Sequence, residues 1–137
     1  MKELKSRFNL VILSNIDDDL FAQTNRLLGV DFDAVITAEQ VRSYKPNKAH
    51  FEAALNRLGV DRLRILHVAQ SLFHDHVPAK QMGFSSIWIN RPSRLPNAGL
   101  SPPADAAPDL QLPDLRSLVD LIVGAAGNDR SGSRWTM

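Results

Sequence analysis

The 137 residues predict an α/β domain, a parallel sheet with helices on both faces. Three observations carry that expectation. Short apolar runs of strand length alternate with segments of helical periodicity. Each helical segment ends near a glycine or a proline. And the polar residues Ser14, Asn15, Gln70, Ser71 and Asp75 fall just past the strand ends, where open α/β sheets bind ligands at their carboxyl edge.

The elements follow in order. LVILSN, Leu10 to Asn15, is continuously apolar before turning abruptly polar, as in a strand buried on both faces. DDDLFAQTNRLLG is a helix with Leu20, Phe21, Thr24, Leu27 and Leu28 on one stripe, acids at its start and Gly29 at its end. FDAVITA supplies a second strand around Ala34 to Thr37. SYKPNKAHFEAALNRLG turns at Pro46 and enters a helix from about Asn47, with Phe51, Leu55 and Leu58 inward and Gly59 closing it. RILHVA, Arg64 to Ala69, is the third strand, a short helix runs on to Gly83, and SIWIN, Ser86 to Asn90, is the fourth strand. The proline-rich stretch 91–113 reads as loop. A last helix covers about 113–123, with Leu115, Leu118, Leu121 and Ile122 on one face, and 124–137 reads as a flexible tail. Residues 1–123 form a single domain on this reading, and no internal repeat is visible.

Composition excludes several function classes. A net charge of +1 recruits neither nucleic acid nor an anionic membrane. The absence of cysteine removes disulfides, thiol catalysis and thiolate metal sites. MKELKSRF lacks the apolar core of a signal peptide, and no run of 18 apolar residues occurs. The expected location is the cytoplasm.

HVAQSLFHDHVPA, His67 to Ala79, concentrates the reactive side chains. A metal site of His74, Asp75 and His76 would require consecutive side chains, about 100° apart on a helix, to converge on one ion, so no metal is expected there. His67 reads as a core histidine satisfied by a hydrogen bond. Asp75 is either a functional carboxylate or a helix cap. Ser14 and Asn15 offer a hydroxyl and an amide to an anionic group, or simply cap a helix. Asp17, Asp18 and Asp19 read as a capped, charge-stabilised helix start. Lys45, beside Pro46, either points an ammonium at an anion or is a surface lysine.

Taken together, LVILSN, SYKPNKAHFEAAL and LHVAQSLFHDHVPAKQMGFSSIWINR resemble the haloacid dehalogenase superfamily of hydrolases, in its 2-haloacid dehalogenase-like branch, from about Phe8 to Arg91. The resemblance implies a Rossmann-like three-layer core. It also implies that Ser14, with Asn15 beside it, binds the anionic group of a small substrate, and that Lys45 steadies a nucleophilic aspartate. Asp75 matches the second carboxylate of the acidic motif, and Phe51 helps line the pocket. Gln70 stands where the phosphatases of the superfamily carry the first acid of that motif. A neutral amide is a poor ligand for a hard cation, so no cofactor is expected, and Mg²⁺ belongs only to a phosphatase alternative.

The larger departure concerns the nucleophile. The superfamily attacks with an aspartate at the end of its first core strand, in a D-x-[DF]-G-T-like motif, and this sequence has none. The expectation is therefore the C-terminal part of a core, missing its first strand and cap and inactive alone. Loss of that strand would expose two strand edges or force them to pair. The expected partners are a small anionic substrate and either a complementing N-terminal half or a second copy. A non-catalytic remnant or partner-binding module is the main alternative.

Overall fold

The computed structural model describes residues 1–91, 102–125 and 136–137. In chain order the elements are α1 (Lys2–Arg7), β1 (Val11–Ser14), α2 (Asp18–Leu28), β2 (Ala34–Thr37), α3 (Ala38–Val41), α4 (Ala49–Leu58), β3 (Leu66–Ala69), α5 (Val77–Gln81), β4 (Ser85–Ile89), β5 (Leu110–Leu112) and α6 (Leu115–Ala125). All strand pairing is parallel, in two blocks: β1 with β2, and β3–β4–β5 in that order. This is the expected α/β architecture. Among the described residues no helix is long and apolar enough to cross a membrane.

Local chemistry explains most boundaries. Asp17 caps α2 by accepting from the Leu20 amide, and Gly29 closes it with φ 58. Gly59 ends α4 in the same left-handed conformation. The turn before α4 holds it to Ala49, two residues later than the sequence suggests, with Asn47 Oδ1 accepting from the Ala49 amide at 3.0 Å. α4 covers β1 and β2, α5 packs on β4, and α6 meets β5. The core is three small clusters. Phe51, Ile65, Ala79 and Phe84 form the one nearest the strand ends; Leu4, Leu10 and Val30 form a second, and Ile87, Ile89 and Leu118 a third.

Several expectations require correction. The α2 stripe is not a buried face: Phe21 is buried and meets Phe32 edge-on, whereas Leu20, Leu27 and Leu28 are exposed, Leu27 at 91%. The segment 91–113 is not all loop, since Leu110–Leu112 is β5. Beyond Pro108 the chain has free amides again, and Asp109 fastens it to β4. The Asp109 carboxylate accepts from the Ser86 amide at 2.7 Å and pairs with Lys80, while its own amide donates to Ser86 O. The charged N-terminus forms α1, which buries Leu4.

The tail also differs. Gly124 and Ala125 belong to α6, and 126–135 lie outside the described residues. Thr136 and Met137 are ordered between the two blocks. Thr136 bridges Asn9 and Ile65 in parallel sense. Its amide donates to Arg64 O, and the Leu66 amide donates to Thr136 O. The Met137 amide donates to Asn9 O, and the Val11 amide to Met137 O, all at 2.8–3.1 Å. Met137 also packs against two of the three core clusters. The facing edges of β1 and β3 therefore neither pair directly nor stand wholly open. A two-residue stretch satisfies their first backbone groups, as buried amides and carbonyls demand.

Candidate active site

Between β1 and β3, beyond Met137, lies a cavity of about 330 Å³. Its walls are apolar except for Ser14, Lys45, His67, Asp75 and Thr136. Two of these five, Lys45 and Asp75, form an ion pair, and His67 meets its carboxylate. Lys45 lies in the turn before α4 and is 8% exposed. Its Nζ donates to Asp75 Oδ1 at 2.6 Å and to Leu13 O at 2.7 Å. An ammonium has three hydrogens, so these bonds leave one for a ligand. Asp75 Oδ1 also lies 3.3 Å from His67 Nε2. Burial by itself pushes the Asp75 carboxyl up, but the His67 hydrogen bond and the Lys45 ammonium outweigh it and hold the pKa at about 2. The carboxylate is thus charged throughout the neutral range.

The backbone around the pair is itself clamped. Asn15 grips the Lys45 backbone twice: Oδ1 accepts from the Lys45 amide at 2.7 Å and Nδ2 donates to Lys45 O at 3.1 Å. His50, fully buried on α4, binds Ser14 O through Nε2 at 3.0 Å, and fully buried His76 binds Ala69 O at 3.1 Å. Two histidines therefore hold the final carbonyls of the two strands that flank the cavity. Burial lowers the pKa of both rings, so each is neutral at pH 7 and donates from Nε2. In each ring Nδ1 is buried with no partner among the described residues. Phe51 is buried, with its ring edge-on to His67 at 4.9 Å and tilted against Phe84 at 5.5 Å.

Of the residues singled out by sequence, Ser14, Lys45, Phe51 and Asp75 line the cavity together. Asn15 and Gln70 do not line it. Gln70 is exposed at the end of β3, where its carbonyl accepts from Trp88 Nε1 at 2.8 Å. Asp75 is no helix cap; Ser71 caps that turn by accepting from the His74 amide. His74, Asp75 and His76 diverge toward Ser71, Lys45 and Ala69. The sequence reading passed over His50, although it shares a helical face with Ala54 and lies beside Phe51 in an otherwise apolar stripe, where a lone imidazole needs a partner. His67 is satisfied by a hydrogen bond as expected, but that bond goes to Asp75 and makes it part of the cluster.

The cavity's donor set does not suit a divalent cation. Asp75 is its one lining carboxylate and is already neutralised by Lys45. Among the described residues no group of three or more histidines and acids could hold a metal ion.

A sequence model described as haloacid dehalogenase-like hydrolase matches residues 1–83. The chain belongs to this hydrolase family. Its relatives within the family include an (S)-2-haloacid dehalogenase from Pseudomonas sp. strain YL, 32% identical over 135 residues, which cover 96% of this chain and 56% of that protein. Among solved structures, L-2-haloacid dehalogenase from Xanthobacter autotrophicus with chloropropionic acid covalently bound superposes with a TM-score of 0.73 at 29% identity, over 90% of this chain and 58% of the other. A HAD phosphatase from Thermococcus onnurineus gives 0.71 at 26% identity, over 90% and 54%. The chain thus spans little more than half the length of these family members. Lys45 and Asp75 both lie within the matched residues.

Proposed function

We propose that this chain supplies the substrate-binding and charge-stabilising half of a 2-haloacid dehalogenase-like active site. The observation that carries this reading is the buried Lys45–Asp75 pair at the carboxyl ends of β1 and β3, beside Ser14 and an otherwise apolar cavity. An apolar pocket with a hydroxyl at Ser14 and one ammonium hydrogen left on Lys45 suits a small carboxylate bearing a carbon–halogen bond.

The reaction needs an aspartate from a strand that this sequence does not contain. Its carboxylate oxygen attacks C2 as the carbon–halogen bond breaks and the halide leaves with the bonding pair. Water then attacks the ester carbonyl, releasing a 2-hydroxy acid and regenerating the carboxylate. The relative with chloropropionic acid covalently bound supports a covalent route. In this chain the Ser14 hydroxyl would hold the substrate carboxylate, and Lys45 would steady the attacking aspartate through its remaining hydrogen. Phe51 would close the apolar wall. Asp75, with a pKa of about 2, is too weak a base to take a proton from water near neutrality. Its role is to position Lys45. Asn15 acts on the same lysine through its backbone.

The chain alone should have no turnover. The test is chloride release from (S)-2-chloropropionate by the purified protein, read by ion chromatography. No release above buffer is expected; chloride production by the pure chain, abolished in Lys45→Ala, would overturn the assignment. One observation favours a second reading, a partner-binding module: among the described residues, the slot between β1 and β3 is filled over two residues, Thr136 and Met137.

A further inference from the structure

The proposed ester step requires a base, and Asp75 with its pKa of about 2 is too weak to be one. Among the described residues three with titratable side chains line the cavity: Lys45, His67 and Asp75. Lys45 is a donor already committed to Asp75 and Leu13 O. That leaves His67. Its Nε2 lies 3.3 Å from Asp75 Oδ1, a length that suits a catalytic hydrogen bond before substrate is bound. An ionised carboxylate can only accept, so the ring must donate from Nε2. In the neutral ring the lone pair then sits on Nδ1, which has no partner among the described residues. His50 and His76 also donate from Nε2, but both are fully buried and neither lines the cavity. The His67 side chain is 11% exposed, and Phe51 packs edge-on against its ring at 4.9 Å.

We propose that His67 is the general base of ester hydrolysis, with Asp75 orienting its ring, and that this half of the chemistry resides in the present chain. The assignment rests on the proposed dehalogenase-like reading and supplies the base that reading lacks. Water attacks the ester carbonyl carbon while one of its protons passes to Nδ1. The negative charge that builds on the carbonyl oxygen is met by the remaining Lys45 hydrogen. The tetrahedral adduct then collapses. The bond from its carbon to the 2-hydroxy acid oxygen breaks, and that oxygen leaves with the bonding pair and takes the proton from Nδ1. The aspartate keeps the water oxygen in its regenerated carboxylate and gives the second water proton to solvent. The imidazole is neutral again, and no co-reactant other than water is consumed. Asp75 therefore serves two groups at once, positioning Lys45 and fixing the His67 tautomer.

An ester supplied from outside needs no aspartate, so the full chain can be tested alone. This reaction is distinct from halide release, for which the chain alone is inactive. The probe is 4-nitrophenyl acetate, followed by nitrophenolate absorbance. Saturable hydrolysis is expected, slower in heavy water than in ordinary water because a proton moves as the water attacks. His67→Gln should slow it roughly tenfold to a hundredfold, at or below the ~10²–10⁴-fold that a positioned acid or base contributes in a complete site. Asp75→Asn should slow it by a similar factor, and His74→Gln should leave it unchanged. Ring-nitrogen chemical shifts of the wild-type chain at pH 8 decide the point if either variant fails to fold. They should show His67 protonated at Nε2 and bare at Nδ1; a proton on Nδ1 would overturn the proposal. So would absence of saturable hydrolysis, or a rate undiminished in His67→Gln. Equal rates in the two waters would overturn it too, because the ring would then be attacking the ester itself. Chloride release plays no part in this assay, so the two readings fail separately.

Discussion

Lys45→Met tests the ion pair at the centre of the site. Methionine keeps an unbranched stem but loses the ammonium, and with it the bonds to Asp75 Oδ1 and Leu13 O. Asp75 then remains a buried carboxylate with His67 as its described partner. Removing one member of a buried pair typically costs about 3–5 kcal/mol, a large share of the roughly 5–15 kcal/mol that holds a domain together. The titration of Asp75 gives a consistent scale. Its pKa of about 2, against the ordinary 3.8, is worth about 2 kcal/mol at ~1.36 kcal/mol per unit. Because that value is depressed in the folded state, the stabilisation is complete above pH 3.8 and is lost as the pH falls toward 2. Lys45→Met should therefore lose about 3 kcal/mol at pH 7 and raise the Asp75 pKa. Asp75→Asn in the same background should recover part of the loss, since an amide carries no charge to leave uncompensated. Urea unfolding of the four proteins, followed by tryptophan fluorescence, closes the double-mutant cycle. A coupling below about 0.5 kcal/mol, with the two single losses simply adding, would refute the pair as a buried, interacting unit.

Other consequences are equally direct. His50 and His76 are held below 6.5 by burial, so the unfolded chain takes up protons first; stability is complete above pH 6.5 and declines as the pH drops below it. His50→Gln keeps a donor for Ser14 O without a titrating ring, so Tm against pH between 7.5 and 5.5 should flatten; an unchanged slope would contradict the assignment. Phe51→Ala should cost about 3–5 kcal/mol in urea unfolding, because a fully buried ring against His67 and Phe84 leaves a cavity. Asp109→Ala should speed exchange of the Asp109 and Gln111 amides without altering the Leu13 amide, since its bonds tie the start of β5 to β4 and α5 and none reaches β1. In a complemented, active protein Asp75→Asn should reduce chloride release far more than His74→Ala, and equal losses would show that the wrong residue of the acidic turn has been chosen.

Much of this architecture is legible in the sequence because the local signals agree with the packing. β2 coincides with its apolar run, Asp17 starts α2, and Gly29 and Gly59 end α2 and α4 where capping chemistry says they should. Ser14 and Lys45, singled out by their motifs, come to line one cavity with Asp75. What escapes the sequence is set by long-range contacts. β5 depends on Asp109 reaching Lys80 and Ser86, more than twenty residues earlier. Thr136–Met137 has no strand signal of its own; it is ordered because two unpaired edges offer it backbone partners. Helical periodicity puts the leucines of α2 on one stripe, but whether a stripe is buried depends on what packs against it, and Leu20, Leu27 and Leu28 are exposed. His67 looks like an isolated core imidazole until Asp75, eight residues on, folds back against it.

The central claim is that Lys45 and its neighbours form half of a hydrolytic site that becomes active when a strand bearing a carboxylate enters beside them. The most direct measurement is chloride release from (S)-2-chloropropionate by the chain mixed with an N-terminal half of a 2-haloacid dehalogenase that carries that strand. The account predicts no chloride from either half alone, release from the mixture, and loss of that release in Lys45→Met. Chloride from the mixture that persists undiminished in Lys45→Met would contradict it.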